Sequence, residues 1–174
     1  MTKKELAKLV KEASFLTGDF TLSSGKKSKY YFDKYLFETR PEILAPLTKE
    51  MAAMLPPLDS FNRIAGPELG AIALATALSL EIKKPFIIVR KGEKGYGTGK
   101  IVEGEVSKGE KLVLVEDIMT SGKQAIAAAD KLKHSGIEVI LILGVIDREE
   151  GAREAALAAG YKFKSVFTKT ELGI

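Results

Sequence analysis

Three short apolar runs do most to limit what this chain can fold into: FIIV at 86–89, LVLV at 112–115 and VILILGVI at 139–146. Each is short and apolar at successive positions, as suits a strand buried on both faces. Segments of helical periodicity separate them. The pattern predicts strands over 61–65, 86–90, 112–115, 138–146 and 161–167, with helices over 68–80, 121–135 and 149–159. Such alternation implies an α/β fold, a mostly parallel sheet of five or six strands covered by helices on both faces.

The first 60 or so residues break the alternation. Thr2-Lys3-Lys4-Glu5 has capping-box spacing, and Leu6, Leu9, Val10 and Ala13 recur helically, which predicts a helix over 2–14. Residues 18–33 place turn residues around two short extended pieces. Pro41 opens a second helix reaching about residue 55, where Pro56-Pro57 stops it. The expectation is one domain over 1–174: N-terminal helices and a small cap over about 1–60, and the α/β core over about 61–167. No linker, repeat or low-complexity tail interrupts it.

Composition narrows the chemistry. Hydrophobic residues make up 45% and charged residues 29%, and no run of about 18 apolar residues offers a membrane span. The N-terminus lacks the apolar core of a signal peptide. There are no cysteines, so disulfides and thiolate metal sites are excluded, and the single histidine, His134, cannot build a zinc site alone. A cytoplasmic chain is expected. The net charge of +4 admits nucleic acid, a membrane surface or phosphorylated small molecules. Most lysines scatter over helix faces, and only one Gly-rich stretch concentrates them. Small phosphorylated partners are therefore expected, not nucleic acid or membrane.

In open α/β sheets ligands bind beyond the carboxyl ends of the strands. The exit after Val115 carries Glu116-Asp117, then Ile118-Met119-Thr120-Ser121-Gly122-Lys123-Gln124. A turn of small and hydroxyl residues at a helix N-terminus favours an anion such as phosphate. It is no Walker A loop, because the early glycine is missing. Two acids would repel a phosphate unless they face something else, and vicinal hydroxyls fit them. A ribose carrying a 5-phosphate satisfies both halves. The plain alternative is an Asp N-cap on an ordinary helix.

The exit after Val89 reads RKGEKGYGTGK over 90–100. Its glycines deny a fixed conformation, and its cations suit a polyanion. The functional reading is a lid that closes over a pyrophosphate and excludes water. The alternative is a surface loop. At the third exit, Asp147-Arg148-Glu149-Glu150 offers an Arg fork for a carboxylate, or a surface Arg paired with Glu149 or Glu150. Near the N-terminus, Tyr31 and Phe32 could wall a flat base, with backbone near Ser24 reading its edge. Ordinary strand packing explains the aromatics equally.

LVLVEDIMTSGKQA resembles the signature of the type I phosphoribosyltransferases: four apolar residues, two acids, two variable residues, then Thr-Ser/Thr/Ala-Gly. RKGEKGYGTG resembles the lid of orotate phosphoribosyltransferases, commonly R-K-x-x-K-x-H-G-x-G. Arg90, Lys91 and Lys94 match it, and Tyr96 stands where the family often has His. FTLSSGKKSKYYFD at 20–33 is similar to the cap of the same family, and the likeness spans about residues 15–150.

The resemblance implies a type I phosphoribosyltransferase fold with a small N-terminal hood. Glu116 and Asp117 would hold the 2- and 3-hydroxyls of phosphoribosyl pyrophosphate, and residues Ile118, Met119, Thr120, Ser121, Gly122, Lys123 and Gln124 its 5-phosphate. Arg90, Lys91, Lys94 and Tyr96 would meet the diphosphate. Arg148, Thr120, Ser24, Tyr31 and Phe32 would bind orotate. Lys94, Asp117 and Arg90 form the implied catalytic set. Mg²⁺ would ride on substrate oxygens with no direct protein ligand. The implied product is orotidine 5-phosphate, made by a homodimer whose Lys91 and Lys94 act in trans. The chain departs from some relatives in having Ser23 where they have Lys, and in lacking a lysine in the loop at 66–70. Three alternatives stay open. A purine or uracil acceptor would leave Arg148 without a carboxylate. A non-catalytic sensor regulating transcription would lack reason to keep the lid cations, and no helix-turn-helix is appended. A generic nucleotide-binding module would not need paired acids.

Overall fold

The computed structural model describes residues 1–21, 25, 27–92 and 101–174. Thr2 caps the first helix, α1 (Lys3–Ser14): its hydroxyl accepts from the Glu5 N–H, and its own N–H donates to the Glu5 carboxylate. An antiparallel hairpin follows, β1 (Phe15–Thr21) and β2 (Lys27–Phe32), then a single helical turn, α2 (Tyr35–Glu38), and α3 (Pro41–Ala53) with Pro41 in its first turn.

From there β3 (Arg63–Pro67), α4 (Ala71–Ile82), β4 (Phe86–Val89), β5 (Val102–Glu103), β6 (Lys111–Met119), α5 (Lys123–His134), β7 (Glu138–Asp147), α6 (Ala152–Ala158) and β8 (Phe163–Thr168) complete the described chain. The sheet runs β5-β4-β3-β6-β7-β8, parallel except where the two-residue β5 pairs antiparallel with β4. The expected mostly parallel α/β sheet is present.

Alternation along β6 builds both cores at once. Val113 and Val115 face a cluster with α1, α3 and α4; Leu112 and Leu114 face α5 and α6. Leu6 and Val10 of α1 join the first cluster with Val166 and Phe167 of β8. The N-terminal helices are therefore sheet cover, and the hairpin alone projects as a cap. The expected N-terminal helices are present, and what the sequence did not show is their place against the sheet. The apolar stripe of α1 has a sheet face to bury against, and burial decides its place.

Of the boundaries that differ from the sequence expectation, three shape the strand exits. β6 continues to Met119, four residues past Val115, because Ile118 and Met119 keep pairing with Ile146 and Asp147 of β7. α5 starts at Lys123, since Gly122 has φ of 75° and breaks the helical run. α6 starts at Ala152: the buried Asp147 carboxylate accepts the Glu149 N–H, holding a turn in which Glu149 and Gly151 have positive φ.

β3 lies between β4 and β6, so successive connections leave it in opposite directions. The crevice at that reversal is the expected ligand site of an open α/β sheet. The loop 68–70 and the residues after Val115 meet there.

Candidate active site

Two adjoining cavities open at this crevice. One, of about 220 Å³, is lined by Pro67–Gly70, Arg90, Lys91, Lys131 and the end of β6. The other, of about 1140 Å³, lies between the hairpin and the turn after β6. Lys34, Glu116, Asp117 and Gln124 line both, so the paired acids stand where the two spaces join.

Both acids are buried. Burial first, and then the charge of Asp117, hold the Glu116 carboxyl well above the usual carboxylate range. The Asp117 carboxylate accepts from the Ile118 N–H through Oδ1 at 2.5 Å, and its Oδ2 meets the Lys34 ammonium at 2.5 Å. Nothing else among the described residues donates to that Oδ2. Burial works against the Lys34 charge, but the charge and hydrogen bond of Asp117 outweigh it and hold the ammonium above the ordinary lysine range. Behind them sits Glu38, also buried, with Oε1 unpartnered among the described residues. Its carboxyl is pushed up to about 8 by burial and next by the Asp117 charge.

After the acids, Ile118 and Met119 end β6, and Met119 is buried in the core between β6, α5 and α6, leaving only its backbone to face a ligand. Thr120 is exposed, Ser121 partly so, and Lys123 and Gln124 are exposed at the start of α5. No side chain caps α5, and its first turn has no acid. Its leading N–H groups are thus placed to receive an anion.

Arg148 reaches the larger cavity from the end of β7, its backbone N–H fixed on the Met119 carbonyl at 2.9 Å. Its Nη2 donates to the Tyr30 hydroxyl at 2.9 Å and pairs with Glu150 at 2.8 Å, while Nε is unpartnered among the described residues. Of the two acid partners anticipated, Glu150 pairs; Glu149 instead accepts from Thr170. Tyr31 lines the cavity, half-exposed against Phe20. Phe32 also borders it but is buried, edge-on to Phe15 and Tyr30 and packed into the core. Core packing is thus the main contact of Phe32. The aromatic that touches Arg148 is Tyr30, which sequence reasoning passed over; only its place beside Tyr31 on an alternating strand hinted at it.

At the smaller cavity the backbone of Lys91 is held twice: its N–H donates to Glu68 Oε1 at 2.8 Å, and its carbonyl accepts from Lys131 Nζ at 2.6 Å. Arg90 lies near Glu103 at 3.4 Å, with Nε unpartnered among the described residues. The root of the anticipated lid is therefore fixed. Lys94 and Tyr96 lie outside the described residues, as does Ser24. Sequence reasoning also missed Lys34, Glu38, Glu68 and Lys131. Of these only Glu68 lies in a segment singled out from the sequence, the loop at 66–70, and the others reach the site only through the tertiary fold.

An uncapped helix start beside a pair of buried acids, at the reversal of a parallel sheet, has the chemistry to suit a phosphorylated diol. The phosphoribosyl transferase domain model matches residues 60–164. The orotate phosphoribosyltransferase of Pyrococcus horikoshii is 47% identical over 174 residues, covering 98% of this chain and 92% of that protein. That of Methanocella arvoryzae is 43% identical over 169 residues, covering 97% and 95%. The Mycobacterium tuberculosis orotate phosphoribosyltransferase solved with inorganic phosphate superposes with a TM-score of 0.85 at 32% identity, covering 99% of this chain and 98% of that one. An adenine phosphoribosyltransferase from Thermoanaerobacter pseudethanolicus, 19% identical with a TM-score of 0.72, covers 93% and 99% and shares the fold alone. This chain belongs to the orotate phosphoribosyltransferases, within the phosphoribosyl transferase family.

Proposed function

We propose that this chain transfers 5-phosphoribosyl from phosphoribosyl pyrophosphate to N1 of orotate, giving orotidine 5-phosphate and pyrophosphate in pyrimidine synthesis. The observation that carries this reading is the position of Glu116 and Asp117, buried where a cavity with an open helix start and Arg148 joins a smaller one rimmed by Arg90, Lys91 and Lys131. The acids take the ribose 2- and 3-hydroxyls. Residues Ile118 to Gln124 take the 5-phosphate, through backbone N–H groups and the Thr120 and Ser121 hydroxyls. Arg148 takes the orotate carboxylate, with Tyr31 beside the ring. Support for this set comes from the family and from shared cavity walls.

Ribose C1 gains oxocarbenium character as the bond to pyrophosphate breaks and the leaving oxygen keeps the electron pair. The N1–C1 bond forms and the N1 proton is released. No side chain attacks; orientation and neutralisation of the leaving charge lower the barrier. Arg90, Lys91 and Lys94 supply that neutralisation. A hard cation suits the oxygen chemistry here: Asp117 Oδ2 is a buried carboxylate oxygen with no donor but Lys34 among the described residues. Mg²⁺ carried on diol and diphosphate oxygens would offset the diphosphate charge. We further propose a homodimer in which Lys91 and Lys94 act in the partner's site, and a cytoplasmic location. No helix among the described residues is long and apolar enough to cross a membrane.

The test is absorbance-followed base consumption with phosphoribosyl pyrophosphate and Mg²⁺, offering orotate, uracil, hypoxanthine and adenine separately. Orotate alone should be consumed. Consumption of another base in its place would discard the carboxylate reading of Arg148, and silence in every well would favour a binding protein.

A further inference from the structure

We infer that Lys34 is a substrate-contacting cation of this site, resting on Asp117 in the free protein and moving to the pyrophosphate group when the ribose diol takes its place. This rests on the phosphoribosyl transfer reading above. Lys34 precedes the single turn α2 and reaches from the cap side to the end of β6. Its ammonium meets Asp117 Oδ2, the oxygen with no other donor among the described residues, and lines both cavities.

The loop 68–70 brings no side-chain cation of its own. At Gly70 an added Cβ would lie 1.7 Å from Asp117 Oδ2 and 2.5 Å from Lys34 Nζ. The absence of a side chain there is what lets the lysine and the acid share that space. Lys34 thus puts a positive charge over the backbone at Gly70, on the side where Arg90 and Lys91 rim the smaller cavity. A diol seated on Asp117 competes for the oxygen that holds the lysine. The released ammonium then has one new anion beside it, the pyrophosphate carried on the same ribose. A lysine on a flexible stem suits such a transfer, because its charge is a compact point that needs no fixed fork.

A purely structural ion pair tying α2 to β6 makes different predictions, so the test compares two ligands. Wild type, Lys34→Met and Lys34→Arg are titrated with inorganic pyrophosphate plus Mg²⁺ in the presence of saturating ribose 5-phosphate, whose diol occupies Asp117, and separately with ribose 5-phosphate alone, which has the diol and phosphate only. Pyrophosphate should bind Lys34→Met about 10- to 100-fold more weakly, the range for a lost charge-assisted hydrogen bond. Ribose 5-phosphate should bind it no more weakly than wild type, since Asp117 is freed. Lys34→Arg should retain most of the pyrophosphate affinity, and it serves where Lys34→Met fails to fold. Equal weakening for both ligands, unchanged pyrophosphate binding in Lys34→Met, or loss of it in Lys34→Arg would overturn the inference. Orotate turnover by wild type is measured beside them. A wild type that turns over orotate while the variants fail to discriminate overturns the inference alone; one that binds neither ligand overturns the functional reading and the inference together.

Discussion

At the scale of single residues, the site is crowded by charge, and glycine makes the crowding possible. Gly70→Ala would drive a methyl group onto the Asp117 carboxylate and the Lys34 ammonium. Asp117 must shift, and displacement of an orienting group by about 1 Å can cost on the order of 10²-fold in rate. We expect such a loss in kcat/KM from a folded Gly70→Ala protein; near-wild-type kinetics would show that Asp117 has freedom the packing denies it. Glu38 makes a prediction in pH. Its carboxyl is raised from 4.5 to about 8, chiefly by burial. The folded protein therefore holds that proton more tightly than the unfolded chain does. The related stability is fully present below pH 4.5 and is lost as pH rises towards 8. At no more than about 1.4 kcal/mol per pH unit, Glu38→Gln should gain a few kcal/mol on wild type between pH 5 and pH 8. Denaturant melts at the two pH values check this, and parallel pH profiles would contradict it.

At the scale of elements, the strand exits were legible because a motif of contiguous residues marks each one. Glu116, Asp117 and the turn to Gly122 read directly from the sequence, since strand, acids and helix start follow within a dozen residues. Arg148 read as well, by standing at a strand end. The ends of elements were less legible. β6 runs to Met119 on account of its pairing with β7, a contact that local propensity does not encode. α2 was missed because it is one turn long, too short for periodicity to show. With it went Lys34 and Glu38, which reach the site only when β2 delivers that turn to the crevice. The lid is the element whose prediction is sharpest. Lys94→Ala and Asp117→Ala chains, each inactive alone, should recover part of the activity when mixed, because one mixed site then has both residues intact. Verified mixed dimers with no recovery would place the lid in its own chain's site.

At the scale of the molecule, the alternation of apolar runs and helices was enough to anticipate a parallel sheet, because burial on both faces leaves few other arrangements. The role of the N-terminal helices was not legible. An amphipathic stripe says that α1 must bury one side but not against what, and the sheet face beneath β8 supplied the answer. What the whole fold adds is a single crevice in which residues from β2, α2, β6, α5 and β7 converge. The central claim is that the acids at this convergence read a ribose diol above a bound 5-phosphate. The most direct measurement is calorimetric titration with ribose 5-phosphate and with 2-deoxyribose 5-phosphate. Loss of a hydrogen bond to a charged partner costs about 1.5–3 kcal/mol, so the deoxy sugar should bind roughly 10- to 100-fold more weakly in wild type. The gap should close in Asp117→Ala/Glu116→Ala. Equal binding of the two sugars by wild type would contradict the account.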